Sequence, residues 1–591
     1  MTAAPTDPTP AMPAAPLQGS AFAWFWGTLW RFRQYYAEAM VATVIANILT
    51  LAGVFFTMNV YDRVVPAQAY ASRWTLAIGT ALAALLEFVM RWLKARLVDL
   101  GGKKADLAIN ALLLREIMAI RLEHRPQSVG IFASAMRDFE ALRDFFSSSS
   151  LVLLADMPFV LLFLALIAAV GGPLVWVPVL AVPALLLLGL LAQRPLTRAM
   201  RQHMKEAGDK HSVLVEALLN LELLKAHNAE GYLQRRWEQS NAAGAQAHLQ
   251  VRTWTQLMMG VSSTTQQLVT VVMVVLGVYL IHANQLTQGA LIAAVILASR
   301  ALTPLTGVMS LATRWQQARS SLDTLDGLLQ RPRDRQHGRS LVVPQTIAGR
   351  LDAHHLEFAY PGEHPMPVIR QLSMQIPAGQ RLALLGRVGS GKSTLLRLMA
   401  GLHAPQGGSV RLDSVALQQL EPSAVRARIG YVAQDAQLFM GSLRENLLLC
   451  EQGISDAQLL AVLRELDLYE MVAAHPRGLD MPISEAGGGL SGGQRQLLAI
   501  ARMMLREPQL VFMDEPTAHM DQRTETRVIA ALKPWLQGRT LLMATHRPQL
   551  LESVDAIAVI EGGQCLAHGP KHELMERLAR GLSPRTEPHA A

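Results

Sequence analysis

Nine consecutive residues, Gly386-Arg387-Val388-Gly389-Ser390-Gly391-Lys392-Ser393-Thr394, constrain the fold of this chain more than any other stretch. A strand-like run, Arg381–Leu385, precedes them and a helix-like run, Ser393–Leu402, follows. In such a turn, glycines let successive backbone N–H groups face phosphate oxygens, and the helix N-terminus favours the same anion. Lys392 adds a positive charge near the β- and γ-phosphates, and the Ser393 hydroxyl can ligate Mg²⁺. The stretch therefore predicts a nucleoside-triphosphate site.

Three long runs without charged residues dominate the first half of the chain. Only 17% of all residues are charged, whereas proteins average about 25%. The uncharged runs cover residues 41–60, 157–193 and 253–299. Since a bilayer span needs about 20 apolar residues, each of the two longer runs accommodates two spans. With one span in the first run and another at Trp74–Trp92, six transmembrane helices are predicted.

The basic residues indicate how these helices are oriented. Lys and Arg are absent from the turns that divide the two longer runs, near residues 171–178 and 282–289. They are frequent in Arg91–Arg143 and Arg194–Arg252, so these two segments are predicted to be cytoplasmic. Basic loops beside a membrane also explain the net charge of +8. No basic patch with interleaved aromatic residues is present, so no nucleic-acid partner is expected.

Composition predicts five regions along the chain. Residues 1–20 are rich in Ala and Pro and are expected to be disordered, without the features of a signal peptide. Residues 21–330 are expected to form the transmembrane domain, beginning with a Trp-rich interfacial helix before the first span; an ordinary surface helix is the alternative. A linker at 331–347, an α/β domain at 348–580 and a disordered tail at 581–591 follow. The only cysteines, Cys450 and Cys565, are predicted to be reduced and unreactive.

Two further motifs belong to the α/β domain. A buried-strand run, Leu510–Met513, ends in Asp514-Glu515, which would place two carboxylates at the tip of a strand. Asp514 suits coordination of Mg²⁺, and Glu515 suits deprotonation of an attacking water. Leu490-Ser491-Gly492-Gly493-Gln494 precedes a helix-like run, Arg495–Arg506. Ser491 is a good N-cap, and a plain helix cap is the alternative reading of this motif.

Together these elements closely resemble the ATP-binding cassette of ABC exporters. The resemblance implies roles for four more residues: Tyr360 stacks on adenine, Gln434 links Mg²⁺ to the membrane domain, Asp521 crosses between cassettes and His546 contacts the γ-phosphate. It implies ATP and Mg²⁺ as cofactors, with the metal held by Ser393, Gln434 and Asp514. It also implies an ATP hydrolase that uses Glu515, His546 and Lys392. His519 stands where a small residue is usual, and no loss of activity is expected from it.

In this family two cassettes pair head to tail, and each ATP lies between one phosphate loop and the partner's Ser491-Gly492-Gly493-Gln494. One chain with six spans and one cassette is half of an exporter, so a homodimer is expected. The helices that would transmit cassette motion are predicted at Gln127–Ala133 and His227–Trp237; plain hairpin tips are the alternative.

Three membrane motifs resemble the permease/ATPase subunit of type I secretion systems: Asn59–Pro66, Arg125–Gly130 and Asp156–Phe159. That resemblance implies a bacterial inner-membrane location, a polypeptide cargo (an RTX-type toxin, a protease or an adhesin), a periplasmic adaptor and an outer-membrane duct. An exporter of lipid or hydrophobic small molecules is the alternative, because it shares every cassette residue. An ATP-gated channel or regulatory ATPase is less favoured, because Glu515 is present. No thiol peptidase domain is expected before the first span, and therefore no leader cleavage.

Two charged positions lie within predicted spans. Arg300 is about eleven residues into the sixth span, where it would face either the translocation path or, by snorkelling, the cytoplasmic surface. Glu87 stands four residues before Arg91 in the second span, and an ion pair between them is predicted.

Overall fold

The computed structural model describes residues 26–27, 30–67, 70–125, 149–335, 341–449, 451 and 453–580. The chain divides into two compact units. The helical unit comprises the described residues up to Met118 and from Ser149 to Arg331, and the α/β unit comprises Ala119–Arg125 and the described residues from Pro332 onward. The predicted disordered termini, the segment Gln127–Ala133 and Cys450 lie outside the described residues.

Six long helices form the helical unit. They are α1 Arg33–Asn59, α2 Tyr70–Met118, α3 Ser149–Gly171, α4 Trp176–Leu219, α5 Glu230–His282 and α6 Gln288–Leu329. Five stretches are long and apolar enough to cross a membrane, because α3 and α4 are joined through the short turn Gly172–Val175 and count as one. The predicted six-helix membrane domain is confirmed, and its helices extend well beyond the apolar runs.

Several threonine hydroxyls of this unit are satisfied within their own helix. The hydroxyls of Thr43, Thr50 and Thr57 in α1 each donate to the carbonyl oxygen four residues earlier, at 2.8–2.9 Å. Such bonds remove the cost of placing a hydroxyl in an apolar environment. They leave the apolar side chains free to pack, and Phe163, Ile167 and Met273 are among the fully covered residues of the core that α1, α3, α5 and α6 share.

A small polar network joins the first three helices. Lys94 in α2 forms an ion pair with Asp156 in α3 at 3.1 Å, and the amide of Asn47 in α1 donates to the same carboxylate at 3.2 Å. The side chain of Lys94 is only 9% exposed. The predicted Glu87–Arg91 ion pair is also present, at 2.8 Å. Arg300 in α6 has an exposed side chain.

The α/β unit is built around a six-stranded sheet with the strand order β12-β11-β3-β10-β9-β6. All neighbours in it are parallel except β12, which forms an antiparallel hairpin with β11. A second, antiparallel sheet has the order β2-β1-β4-β5. The strands are β1 Leu351–Ala359, β2 Pro367–Ile376, β3 Arg381–Leu385, β4 Gly407–Leu412, β5 Val415–Ala416, β6 Ile429–Val432, β7 Gly441–Ser442, β8 Pro482–Ile483, β9 Leu510–Asp514, β10 Thr540–Ala544, β11 Ala556–Glu561 and β12 Gln564–Pro570.

Helices cover this sheet and leave the carboxyl ends of its parallel strands open. The helices are α7 Lys392–Met399, α8 Pro422–Arg426, α9 Leu443–Leu448, α10 Asp456–Glu465, α11 Tyr469–Ala474, α12 Gly492–Leu505, α13 Gln522–Trp535 and α14 Lys571–Ala579. β9 and β10 are buried along their whole length, as expected for central parallel strands. The helix predicted to reach Leu402 instead ends at Met399, because Gly401 adopts a positive φ of 66° that terminates it.

Candidate functional site

The glycine-rich loop lies between the end of β3 and the start of α7, as the sequence predicts. Gly386 has a φ of 153°, and a Cβ there would lie 2.0 Å from the carbonyl oxygen of Ile560. Gly391, the residue before α7, has a φ of 101° and lies against the side chain of Ile369. Only glycine fits either position without moving the backbone. These constraints hold the loop around the N-terminus of α7, where successive N–H groups can bind an anion.

A cavity of about 550 Å³ opens beside this loop. It brings together most of the residues that the sequence assigned to nucleotide and metal. They are Val388, Gly389, Ser390, Gly391, Lys392, Ser393, Thr394, Gln434, Asp514, Glu515 and His546. Gly386 and Arg387 line an adjoining cavity with His546. The strand ends of β3, β6, β9 and β10 supply these residues, and their parallel arrangement explains the convergence.

Lys392 is folded back onto the loop. Its Nζ donates to the carbonyl oxygens of Gly386 at 2.7 Å and Arg387 at 3.0 Å. Burial lowers the pKa of Lys392, although the nearby carboxylates of Glu515 and Asp514 oppose this shift. The ammonium is thus held at the loop by backbone acceptors that an anionic ligand can replace.

Asp514, the last residue of β9, lies at the foot of the cavity. Burial raises the pKa of Asp514, while a hydrogen bond from Ser393 and the charges of Arg397 and Lys392 partly offset that rise. Gln434, just after β6, is exposed on the wall of the same cavity. A hydroxyl, a carboxylate and an amide oxygen suit Mg²⁺, a hard cation that prefers oxygen ligands. The residues present therefore fit the expected metal.

Glu515 has a strained backbone and one free carboxylate oxygen. Its φ is 45°, in the left-handed region that is unfavourable for residues other than glycine. Its Oε2 accepts from the backbone N–H of His546 at 3.3 Å, and its Oε1 lies 3.7 Å from the ring Nε2 of His546. Within the part of the chain that the structure describes, Oε1 is buried and accepts no hydrogen bond. This oxygen, on a residue that lines the cavity, is thus available to accept a proton or a hydrogen bond.

Tyr360 lies next to the loop without lining the cavity. Its hydroxyl is 3.1 Å from Thr394 Oγ1, and Arg397 donates to the same hydroxyl at 3.3 Å. The ring is 37% exposed and packs edge-on against Phe358 and His403. Its exposed ring is thus anchored beside the phosphate loop, where it can accept a flat ligand.

Sequence reasoning missed the residue behind Tyr360. His403 stacks on Phe358, and its Nδ1 lies 3.3 Å from the carboxylate of Glu123. Both side chains are almost fully buried. Burial alone would raise the pKa of Glu123, but hydrogen bonds from His403 and from the backbone N–H groups of Glu123 and Ala404 outweigh it and hold the pKa below its ordinary value. Glu123 is 280 residues away along the chain, so no local pattern could have revealed the pair.

A second missed network supports the segment around His546. Arg547 lines the cavity and donates to Glu525 at 3.0 Å, and Glu525 in turn accepts from Thr517 at 2.9 Å. Thr517 and Glu525 are fully buried. In the sequence, the only indication that Arg547 belongs to the site was its position directly after His546. The network holds the segment after Glu515 against the strand end that carries His546.

Ser491, Gly492, Gly493, Gln494 and Asp521 do not line this cavity. Ser491 and Gln494 form a reciprocal capping box at the start of α12. The Ser491 hydroxyl accepts from the backbone N–H of Gln494 at 3.2 Å, and the Gln494 side chain accepts from the backbone N–H of Ser491 at 2.9 Å. The helix cap that was the alternative reading of this motif is therefore present. Asp521 caps α13 by accepting from Thr524 at 2.7 Å.

His519 packs where the two glycines leave room for it. A Cβ on Gly493 would lie 2.9 Å from the carbonyl oxygen of His519. The ring Nε2 of His519 is 3.6 Å from the carboxylate of Asp435.

Cys565 is chemically quiet. Burial raises the pKa of its thiol to about 11, so it is protonated at neutral pH.

Two family models match the chain, and they match different units. The model described as "ABC transporter transmembrane region" matches residues 36–305, and the model described as "ABC transporter" matches residues 369–518. The second match includes the glycine-rich loop, Gln434, the Ser491 motif and Asp514-Glu515. The two matched regions are thus the helical unit and the unit that carries the cavity.

Similar proteins include the "Leukotoxin translocation ATP-binding protein LktB" of Mannheimia glucosida and that of Mannheimia haemolytica. Each is 25% identical over 556 residues, which cover 94% of this chain and 78% of the relative. Among solved structures, a bacterial Atm1-family ABC exporter with ATP bound superimposes with a TM-score of 0.82 at 22% identity, covering 93% of this chain and 99% of that chain. At that identity the likeness establishes the fold. The chain therefore belongs to the ABC transporter family, as a multi-pass membrane protein that carries its transmembrane region and its ATP-binding domain on one polypeptide.

Proposed function

We propose that this protein hydrolyses ATP to export a polypeptide across a bacterial inner membrane, as the permease/ATPase subunit of a type I secretion system. One observation carries the proposal: a single cavity collects the phosphate loop, Asp514, Glu515 and His546, on a chain whose other unit is a bundle of apolar helices. The cargo class is supported by the leukotoxin translocation proteins, which match this chain through both units.

In this proposal the phosphate loop, the strand-end residues and Tyr360 have separate roles. The loop from Gly386 to Thr394 binds the phosphates through its N–H groups, and Lys392 exchanges its backbone acceptors for β- and γ-phosphate oxygens. Glu515 accepts the proton of the attacking water, and His546 contacts the γ-phosphate. Bound Mg²⁺, held by Ser393, Asp514 and Gln434, would neutralise charge on the transferred phosphoryl group. Tyr360 stacks on the adenine ring.

A second copy of the chain completes the site in this proposal. Ser491, Gly492, Gly493, Gln494 and Asp521 lie outside the cavity of their own chain, so a partner copy is needed to bring them to ATP. We propose a homodimer surrounded by membrane lipid, with a periplasmic adaptor and an outer-membrane duct as further partners.

Mixed dimers test the shared site. Lys392→Ala disables the phosphate loop, and Ser491→Arg disables the motif that the partner would contribute. Each variant alone should lose nearly all ATPase activity in lipid nanodiscs. A dimer of one copy of each keeps one intact composite site, so part of the activity should return. Full activity of Ser491→Arg alone would contradict the shared site, and so would the absence of any recovery in the mixed dimer.

The cargo is tested by trapping it. The Glu515→Gln variant, expressed in its native host and purified in mild detergent, should retain cargo that mass spectrometry can identify. An acidic polypeptide with its signal near the C-terminus supports the proposal, and its secretion should stop when this gene is deleted. Retained lipid or hydrophobic small molecules without polypeptide would instead favour the alternative exporter function.

A further inference from the structure

One fully buried polar side chain of the α/β unit lies close to the cavity without lining it. Gln496 belongs to α12, two residues after Gln494, and is 0% exposed. A primary amide has two donor hydrogens and an acceptor oxygen, and burying them is costly unless they are hydrogen-bonded. What this amide binds therefore indicates what it does.

The amide of Gln496 binds the chain directly beside a residue of the cavity. Its Nε2 donates to the carbonyl oxygen of Ala433 at 3.0 Å. Ala433 precedes Gln434, which lines the cavity. Among the residues that the structure describes, the Oε1 of Gln496 is buried and accepts no hydrogen bond. The amide thus acts as a donor to the segment that carries Gln434.

This bond lies just beyond the end of a strand. β6 covers Ile429–Val432, so Ala433 and Gln434 follow its last residue. Gln434 and the next residue, Asp435, are exposed. The bond from Gln496 is therefore a buried attachment for a segment that otherwise faces water.

α12 and β6 also touch at their other ends. A Cβ on Gly430 would lie 2.6 Å from Cγ of Met503, so the glycine lets the helix lie directly against the strand. Met503 follows Gln496 by seven residues, which is about 10 Å along a helix. Ala433 follows Gly430 by three residues, which is also about 10 Å along a strand. The two contacts match in spacing and together fix the end of β6 along α12.

The amide is not needed to stabilise the fold. A buried hydrogen bond contributes a modest net free energy, and a buried acceptor without a partner costs at least as much. Methionine is a flexible apolar side chain of similar length that carries neither the amide donor nor the amide acceptor. Gln496→Met should therefore leave the free energy of unfolding nearly unchanged while it removes the bond to Ala433.

We propose that Gln496 is a positioning residue for Mg-ATP: from the buried face of α12 it holds the segment of Gln434, so that the Gln434 amide stays where it can bind the metal. Because Ser491 and Gln494 begin the same helix, the bond also fixes Gln434 relative to that motif. Residues that orient a metal ligand from behind are worth about 10–100-fold in metal affinity. The inference rests on the proposed role of Gln434 as a ligand of Mg²⁺.

Binding of a fluorescent ATP analogue measures this role without hydrolysis or transport. The full-length protein in lipid nanodiscs, with Glu515→Gln to prevent hydrolysis, is titrated with the analogue in Mg²⁺ and again in EDTA. Gln496→Met should lower the affinity in Mg²⁺ by about tenfold and leave the affinity in EDTA unchanged. Gln434→Ala should do the same. The double variant should bind no more weakly than the weaker single variant, because both changes remove the same contact with the metal.

Gln509→Met is the matched control. The amide of Gln509 also donates to a backbone carbonyl, that of Gly538, at 3.2 Å, and neither residue lines the cavity. This variant should bind the analogue like the parent in both conditions. Thermal unfolding should give Gln496→Met the same midpoint as the parent. If Gln496→Met does not accumulate as folded protein, Gln496→Asn decides the question, because its amide is one methylene too short to reach Ala433.

Three results would overturn the inference. In the first, Gln434→Ala loses affinity in Mg²⁺ while Gln496→Met keeps it, so that Gln434 needs no support from α12. In the second, the two losses add in the double variant, so that Gln496 acts independently of Gln434. In the third, Gln496→Met loses affinity equally in Mg²⁺ and EDTA, which assigns it a purely structural role. Failure of the proposed site is distinguishable, because Gln434→Ala would then keep its full affinity in Mg²⁺, and the inference would fail with it.

Discussion

The two units use polar side chains in opposite ways. In the α/β unit, polar residues lie together at one end of a sheet, and their positions are fixed by buried apolar strands such as β9 and β10. In the helical unit, polar contacts such as Asp156 with Lys94 and Asp62 with Thr287 join helices directly. In water, apolar burial drives folding and polar groups are free for chemistry. Between lipid-embedded helices that driving force is weak, so polar contacts influence which helices stay together.

Single substitutions in the two units should therefore have different effects. Changes in the cavity of the α/β unit should affect turnover with little effect on stability, whereas changes in the polar contacts of the helical unit should affect stability or conformation.

The largest effect is expected at Glu515. Replacing it by Gln keeps the shape but removes the proposed base, so the ATPase rate should fall by about 10²–10⁴-fold while ATP binding persists. Phosphate release and binding of a fluorescent ATP analogue measure the two properties. Glu552→Gln, at an exposed position in the same unit, is the control and should retain the normal rate. Near-normal phosphate release by Glu515→Gln would exclude Glu515 as the base.

In the helical unit, Asp156→Asn should be the most destabilising single change of a polar contact. It leaves the buried ammonium of Lys94 without its partner, at a cost of about 3 kcal/mol. Thermal unfolding in detergent should show a clear loss for this variant. Glu87→Gln breaks the more exposed pair with Arg91 and should cost about 0.5 kcal/mol or less. Equal losses for the two variants would contradict the idea that burial makes the Asp156 contact important.

An intermediate effect is expected at Glu123, and it should depend on pH. The pKa of Glu123 is lower in the folded protein than in the unfolded chain, so its stabilising contribution is complete above the unfolded pKa and is lost as pH falls through the folded value. Glu123→Gln should remove about 2 kcal/mol at neutral pH and less at acidic pH. Unfolding midpoints measured from pH 3.5 to 7.5 test this, and a difference that does not change with pH would refute it.

The same variant also tests a connection within the α/β unit. Because His403 links Glu123 to the ring of Tyr360, Glu123→Gln should weaken binding of ATP more than binding of inorganic triphosphate, which has no adenine. Calorimetric titration of both ligands measures the difference. Equal weakening would show that the loss does not act through Tyr360.

A small effect is expected at His519. Its ion pair with Asp435 is well exposed at both ends, and such surface pairs contribute about 0–1 kcal/mol. His519→Ala should therefore change the ATPase rate by less than about twofold, in line with the sequence-based expectation. A larger loss that His519→Asn restores would assign a positioning role to the imidazole.

The smallest effect on ATP turnover is expected from Arg300→Gln, because Arg300 lies on an exposed part of α6. Only export of acidic cargo should fall, if its guanidinium faces the translocation path. Unchanged export would favour the snorkelling alternative.

The sequence predicts most of the α/β unit because its signals are local. A strand, a glycine-rich turn and a helix follow one another between Arg381 and Met399, and Asp514-Glu515 directly follows a buried strand. The six apolar helices can also be predicted from local sequence, because the thickness of a bilayer sets the length of each apolar run. The sequence-based prediction placed the end of α7 wrongly, at Leu402. The positive φ of Gly401 ends this helix earlier, and the sequence pattern does not show that backbone angle. Arg547 escaped notice because its partner, Glu525, lies in α13, a separate segment of the chain.

Short stretches of sequence are enough to predict the phosphate loop, the strand-end carboxylates and the alternation of apolar helices with basic segments, since each depends on residues close together in the chain. Only the tertiary structure paired Glu123 with His403 across 280 residues and Asp62 with Thr287 across 225. A hydrogen bond between distant segments depends on how whole helices and strands pack, and that packing is a collective result of many weak contacts. No spacing rule within one segment encodes it.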